Sequence, residues 1–182
     1  MNENEIHFDH ILMPRTVMSF VIPLSEEKRM ECIEEAMRIG DEMNHSTNVK
    51  ASMSNFRVHE TTNVFHEILV KTTEMMRKAP WVDTNLFGHT LLDSWTAVYK
   101  KGEHTIPHTH TASASFCYYI QADENSAPLV FDGTPLKIQP FSGLCVMFEG
   151  GMMHSVPRQE EGANRVILAG NYMFDLDSPR VQ

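Results

Sequence analysis

Between Ser94 and Phe174 the chain breaks into short apolar segments: SWTAVYK (94–100), SASFCYYI (113–120), APLVFD (127–132), PLKI (135–138), GLCVMF (143–148) and RVILAGNYMF (165–174). Each is rich in β-branched or aromatic residues and bounded by turn formers, the signature of strands. Past Leu91 no helical period survives. Strands of this length and spacing can bury their apolar faces only by closing into a small barrel or sandwich.

The first half has a different rhythm. TVMSFVIP (16–23) and IHFDHILMP (6–14) read as short extended pieces ended by prolines. Ser25 followed by Glu26 and Glu27 is an N-cap with acids in the first turn. From there Met30, Ile33, Met37 and Met43 fall near one helical face, and Gly40 and Asn44 mark its end. Methionines on such a face predict core packing by an adaptable side chain. A second helix starts at Thr61 or Thr62, carries the stripe Val64, Phe65, Ile68, Leu69, Met75 and Met76, and stops before Pro80. The polar segment between them, 44–62, reads as a connection, with the covering of a site as its other use. Helices followed by strands predict an α+β chain: a single domain over 1–182, with a mainly helical scaffold (1–90) packed outside a β-core (91–175).

At 182 residues the chain can bury a core without staples. Its 15 basic and 24 acidic residues give a net charge of −9, which argues against binding a nucleic-acid backbone. Cys32, Cys117 and Cys145 are odd in number and lack CxxC spacing, as expected of reduced thiols in the cytoplasm. No signal-peptide pattern and no membrane-length apolar run is present.

Three histidines lie within seven residues in HTIPHTH (104–110). His108 and His110 are two apart, so in extended backbone both side chains leave one face and can bind one ion. Two ligands hold a first-row metal poorly. His154, after a strand and the Gly150–Gly151 turn, is the natural third. Three histidines on one side of an ion leave positions open for a substrate or dioxygen. Arg165 begins an apolar strand, where burial without a partner would be costly. A dicarboxylate matches its guanidinium bidentately, and Glu160 or Glu161 are the alternative partners. His104 reads as peripheral to the pair, and His7, His10, His45, His59, His66 and His89 have no partners at ligand spacing.

The stretch from Trp95 to Phe174 resembles the double-stranded β-helix (jelly-roll) core of the iron(II)- and 2-oxoglutarate-dependent oxygenases. Tyr99, Gly102 and His108 follow in the family's order. Later Gly143 leads a strand ending in Phe148, then His154 with Val156 and Pro157, then Arg165. HTHTASASFCYYI is similar to a subgroup from bacteria and marine phages. The resemblance implies a dioxygenase that hydroxylates an unidentified substrate and releases succinate and CO2. It implies iron(II) on the catalytic histidines His108, His110 and His154. It further implies 2-oxoglutarate held by Arg165, with Tyr99 and Tyr119 in the same cofactor-binding group; Asn171, six residues after Arg165 and so on the same face of a regular strand, joins that group by its spacing.

Two features depart from the family pattern. His110 stands where the family carries a carboxylate, leaving the bound ion one unit more positive. Ile167 stands where many members carry a hydroxyl, so Tyr99, Tyr119 or Thr105 would have to replace it. A cupin-type metalloprotein that ignores 2-oxoglutarate, and a non-catalytic metal-binding module, remain as other readings. GEHTIPHTH fits the cupin opening, but TASASF lacks the cupin glutamate. Exposed sheet edges and methionine-rich helices allow a homodimer.

Overall fold

SASFCYYI is continuously apolar because the strand it forms is covered on both faces. In the computed structural model, which describes residues 15–43, 45–81, 88–160 and 165–175, this strand is β6 (Ala114–Gln121), with every residue but the last buried. Phe116, Tyr118 and Ile120 point outward to the helices, and Cys117 and Tyr119 point inward. Strand period two sorts them.

The elements run β1 (Val17–Val21), α1 (Glu26–Ile39), β2 (Val49–Lys50), β3 (Ser52–Met53), α2 (Val58–Thr61), α3 (His66–Met76) and β4 (Gly88–Tyr99). They continue with β5 (His104–His108), β6, β7 (Leu129–Phe131), β8 (Lys137–Ile138), β9 (Leu144–Phe148), β10 (His154–Val156) and β11 (Arg165–Asp175). One sheet has the order β1-β9-β6-β11-β4-β3 and the other β2-β5-β10-β7-β8. From β4 onward the chain changes sheet at every step except β7–β8, where the two strands pair with each other before β9 returns to the first sheet. This is the jelly-roll order of a double-stranded β-helix.

The strands expected from Ser94 onward are all present, and β4 is longer than its predicted segment, pairing with β11 from Arg165↔Tyr99 to Asp175↔Gly88. Gly143 precedes β9 at a φ of +92°, a conformation that favours glycine, and its N–H donates to Tyr119 O at 2.8 Å.

The first half is less helical than expected. TVMSFVIP forms β1 on β9, and the polar segment after α1 supplies β2 on β5 and β3 on β4. These strands cover edges of the jelly roll that would otherwise stay open. Ser25 caps α1 as expected, its hydroxyl accepting from Lys28 N at 3.1 Å. The buried face of α1 is Cys32, Ile33, Ala36 and Ile39, while Met30 and Met37 are exposed. Small and branched residues let the helix lie close to the sheet, and the methionines flank that contact. The second helix starts later than expected: α3 begins at His66, with Phe65 at its N-cap and Ile68, Leu69 and Met76 in the core, while a separate short helix, α2, forms within the segment expected as a connection. No helix among the described residues is long and apolar enough to cross a membrane. The extended piece expected at 6–14 and the residue Asn44 lie outside the described residues.

Candidate metal and anion site

His108 closes β5 and stands directly opposite His154, the first residue of β10. His110 lies two residues beyond the end of β5, where its N–H donates to Gly150 O at 2.8 Å. That bond ties the histidine loop to the turn between β9 and β10. One potential ligand atom from each of the three side chains lies within 4.8 Å of the other two. Ring centroids are 4.3 Å apart for His108 and His154, 4.8 Å for His108 and His110, and 5.1 Å for His110 and His154.

Nδ1 of His108 is 2.9 Å from Ile106 O, and Nδ1 of His154 is 2.8 Å from Met152 O. A carbonyl only accepts, so each Nδ1 carries the proton and each Nε2 keeps its lone pair. Burial pushes the His110 pKa down to about 3, helped by the neighbouring His154 and His108. Burial likewise takes His154 down to about 4 and lowers His108, against the opposing pull of the carbonyl bonds. All three are therefore neutral imidazoles at pH 7, the form a metal needs. Their number, convergence and tautomers fit a divalent first-row ion with open positions.

Arg165 opens β11 opposite Tyr99 and is 1% exposed. Its guanidinium donates to Ala127 O and lies 3.5 Å from the Tyr119 hydroxyl. The guanidinium carbon is 5.2 Å from the Tyr99 ring centroid and 4.9 Å from that of Tyr119. Nε has no partner, and no carboxylate among the described residues forms an ion pair with Arg165. Glu160 is exposed, and Glu161 lies outside the described residues. A buried cation balanced only by a carbonyl and two rings is costly, and an anion would offset that cost. Beside it, the hydroxyls of Tyr99 and Thr105 are 2.7 Å apart.

The three histidines and Arg165 line one cavity of about 430 Å³, part of it open to solvent. Tyr99, Thr105, Cys117 and Ile167 also line it. Along β11 the residues Arg165, Ile167 and Ala169 line this cavity, and Asn171 lines a second one beside it. Asn171 accepts from Ser115 Oγ at 2.7 Å. Tyr119 reaches the site through its hydroxyl contact with Arg165.

The remaining histidines stand apart from the cluster. His45 is 3.4 Å from Glu103, His59 bonds Ser94 Oγ through Nδ1, and His66 opens α3. His89 packs edge-on against the Tyr172 ring, and His104 Nδ1 is buried without a partner. His7 and His10 lie outside the described residues. Sequence reasoning missed Gly150 as the anchor of His110, and missed the second cavity with Asp93 and Phe56. The i, i+2 spacing of Asp93 and Trp95 was the available signal, since it puts them on one strand face.

No family model matches the chain, and no curated protein matches it either. Solved structures do. The viral collagen prolyl hydroxylase of Paramecium bursaria Chlorella virus-1, in its 2OG complex, is 16% identical with a TM-score of 0.67, over 86% of this chain and 94% of that one. A prolyl-4-hydroxylase of Pseudomonas putida is 12% identical with a TM-score of 0.65, over 87% and 93%. HygX of Streptomyces hygroscopicus, with nickel, 2-oxoglutarate and hygromycin B bound, is 10% identical with a TM-score of 0.63, over 86% and 82%. These likenesses establish the double-stranded β-helix fold.

Proposed function

We propose that this protein is a non-haem iron(II)- and 2-oxoglutarate-dependent dioxygenase that hydroxylates a C–H bond of a substrate yet to be identified. One observation carries the reading. Three convergent neutral imidazoles share a cavity with a fully buried guanidinium that has no carboxylate partner among the described residues.

His108, His110 and His154 are the residues that hold iron(II). Arg165 binds the far carboxylate of 2-oxoglutarate, and Tyr99 and Tyr119 flank and orient the guanidinium. Tyr99 and Thr105 supply the hydroxyls missing at Ile167. When bound, iron(II) supplies the dioxygen chemistry, in which substrate C–H, 2-oxoglutarate and O2 become C–OH, succinate and CO2. The chain contributes placement, charge and an apolar enclosure that limits water.

The viral hydroxylase and HygX, which share this fold, were solved with 2-oxoglutarate bound, and HygX also with iron. That supports the same co-substrate and metal here. A cupin-type metalloprotein or a non-catalytic module gives no reason to bury Arg165 unpaired in the metal cavity. The three buried thiols suit a cytoplasmic setting, and the packing of the helices on the jelly roll suits a single domain.

The test is to add iron(II) and 2-oxoglutarate without oxygen to metal-stripped protein and record the visible spectrum. A charge-transfer band that is lost in Arg165→Ala and His154→Ala is the expected result. Absence of any band, with zinc or nickel tightly held, would overturn the reading.

A further inference from the structure

The second cavity, about 700 Å³ including space open to solvent, shares Val49, Trp95, His108 and His110 with the first. It therefore meets the metal-ligand cluster without passing Arg165, which is not among its lining residues. Its walls combine an aromatic pair with one carboxylate. Phe56 and Trp95 stand edge to face with centroids 5.5 Å apart. Asp93, two residues before Trp95 on β4, is the only Asp, Glu, Lys or Arg among the described residues that lines it.

Both polar groups are incompletely bonded. Asp93 Oδ1 is buried with no hydrogen-bond partner, although Asn171, opposite in the ladder, stabilises the carboxylate through its amides. Trp95 is 6% exposed, and its Nε1–H likewise has no partner. Among the described residues no Lys or Arg pairs with Asp93: Arg57 is bonded to Glu60, and the basic side chain that acts on the carboxylate is His59, whose Nδ1 is bonded to Ser94 Oγ. Burial, the largest influence, pushes the Asp93 pKa upward. A buried carboxylate oxygen without a donor is costly, and the strongest relief is a charge-assisted N–H donor. Aromatic rings beside it favour the same visitor, since a cation is attracted to a π-face.

We propose that this cavity admits the substrate to be oxidised, and that the substrate bears an alkylammonium or guanidinium group that pairs with Asp93 beside Phe56 and Trp95. This rests on the oxygenase reading for the word substrate, but not for the cation site itself. The carboxylate then selects for charge, and the aromatic pair holds the carbon stem of the visiting side chain.

The probes are Nα-acetyl-lysine amide and Nα-acetyl-arginine amide, each compared with its neutral counterpart, Nα-acetyl-norleucine amide or Nα-acetyl-citrulline amide. The same side chains within short peptides form a second arm, which separates a free metabolite from a protein side chain as the source. Binding to the full nickel-loaded chain is read by isothermal titration, and 2-oxoglutarate affinity is measured in parallel. A cation should bind roughly tenfold more tightly than its neutral counterpart. Asp93→Asn should abolish that preference while leaving 2-oxoglutarate affinity within about twofold. Phe56→Ala, at a partly exposed ring, should weaken both cations and serves if Asp93→Asn fails to fold. Equal binding of neutral and cationic probes, an unchanged charge preference in Asp93→Asn, or unchanged cation affinity in Phe56→Ala overturns the proposal. Normal 2-oxoglutarate binding in that case leaves the oxygenase reading standing. An Asp93-dependent cation preference without 2-oxoglutarate binding would sink the oxygenase reading and keep the cation site.

Discussion

His108 and His154 face each other across the β5–β10 ladder, and each bonds its Nδ1 to the carbonyl two residues before it. The repeated arrangement sets both rings in the same tautomer before any ion arrives. Replacing His154 by Ala should therefore cost roughly 100-fold or more in metal affinity, because one of three ligands is lost from a preset group. Competition with a chelating dye measures it. An unchanged affinity would remove His154 from the ligand set.

The same burial gives the metal-free protein a pH signature. The pKa values of His110 and His154, at about 3 and about 4 in the folded chain, lie below the unfolded value of 6.5. Below pH 6.5 the unfolded chain takes up protons that the folded one refuses, so stability falls as the pH drops toward those values. The expected loss is on the order of 1 kcal/mol per pH unit for each imidazole. Thermal melts of metal-free protein between pH 7.5 and 4 would show it, and the zinc-loaded form should start from a higher melting temperature. A flat profile would mean that these rings are not buried as neutral imidazoles.

Arg165 should behave oppositely in stability and in binding. Arg165→Met removes a buried unpaired cation and keeps much of its volume, so the melting temperature should hold or rise. Affinity for 2-oxoglutarate should fall roughly 100-fold, the loss expected for a buried charge-assisted pair. Titration with the metal-loaded protein decides it. A fall in stability with binding intact would make Arg165 a structural residue.

Gly150 offers a test of how His110 is held. A Cβ at this position would lie 2.3 Å from Ala112 O, whereas at Gly151 the nearest atom is 3.9 Å away. Gly150→Ala must displace the histidine loop, and metal affinity should drop roughly tenfold or more. Gly151→Ala should leave it unchanged. Equal effects from the two variants would argue against the anchoring role of the Gly150 carbonyl.

Tyr99→Phe removes the hydroxyl that bonds Thr105 and leaves the ring beside Arg165. The Michaelis constant for 2-oxoglutarate should rise several-fold, on the order of one hydrogen bond, with little change in turnover. An equal loss in the two parameters would place the hydroxyl in the reaction rather than in binding.

Much of this could be read from the chain because it depends on near neighbours. The i, i+2 spacing of His108 and His110 places them together, and the doubly buried β6 shows as an unbroken apolar run. Ser25 with Glu26 and Glu27 marks the start of α1 wherever that helix later packs. The late start of α3 was hidden, because Thr61 and Thr62 are good caps and Val64 and Phe65 continue the apolar stripe ahead of His66; the short α2 carries no stripe of its own. Exposure of Met30 and Met37 was hidden too, since helical period identifies a stripe but not which side of it meets the sheet. The edge strands β2 and β3 are two residues each and carry no period at all.

The sequence alone determined the local geometry: which segments extend, where α1 begins, and which two histidines are close neighbours along the chain. Backbone sterics and side-chain period act over a few residues, and they need no knowledge of the partner strand. Only the tertiary structure decided that His154 stands opposite His108, and that Arg165 is buried without a carboxylate partner among the described residues. It alone joined Asp93 to an aromatic pair at the second cavity. Those relations depend on strand order and register across the two sheets, set by how the whole chain buries its apolar faces at once.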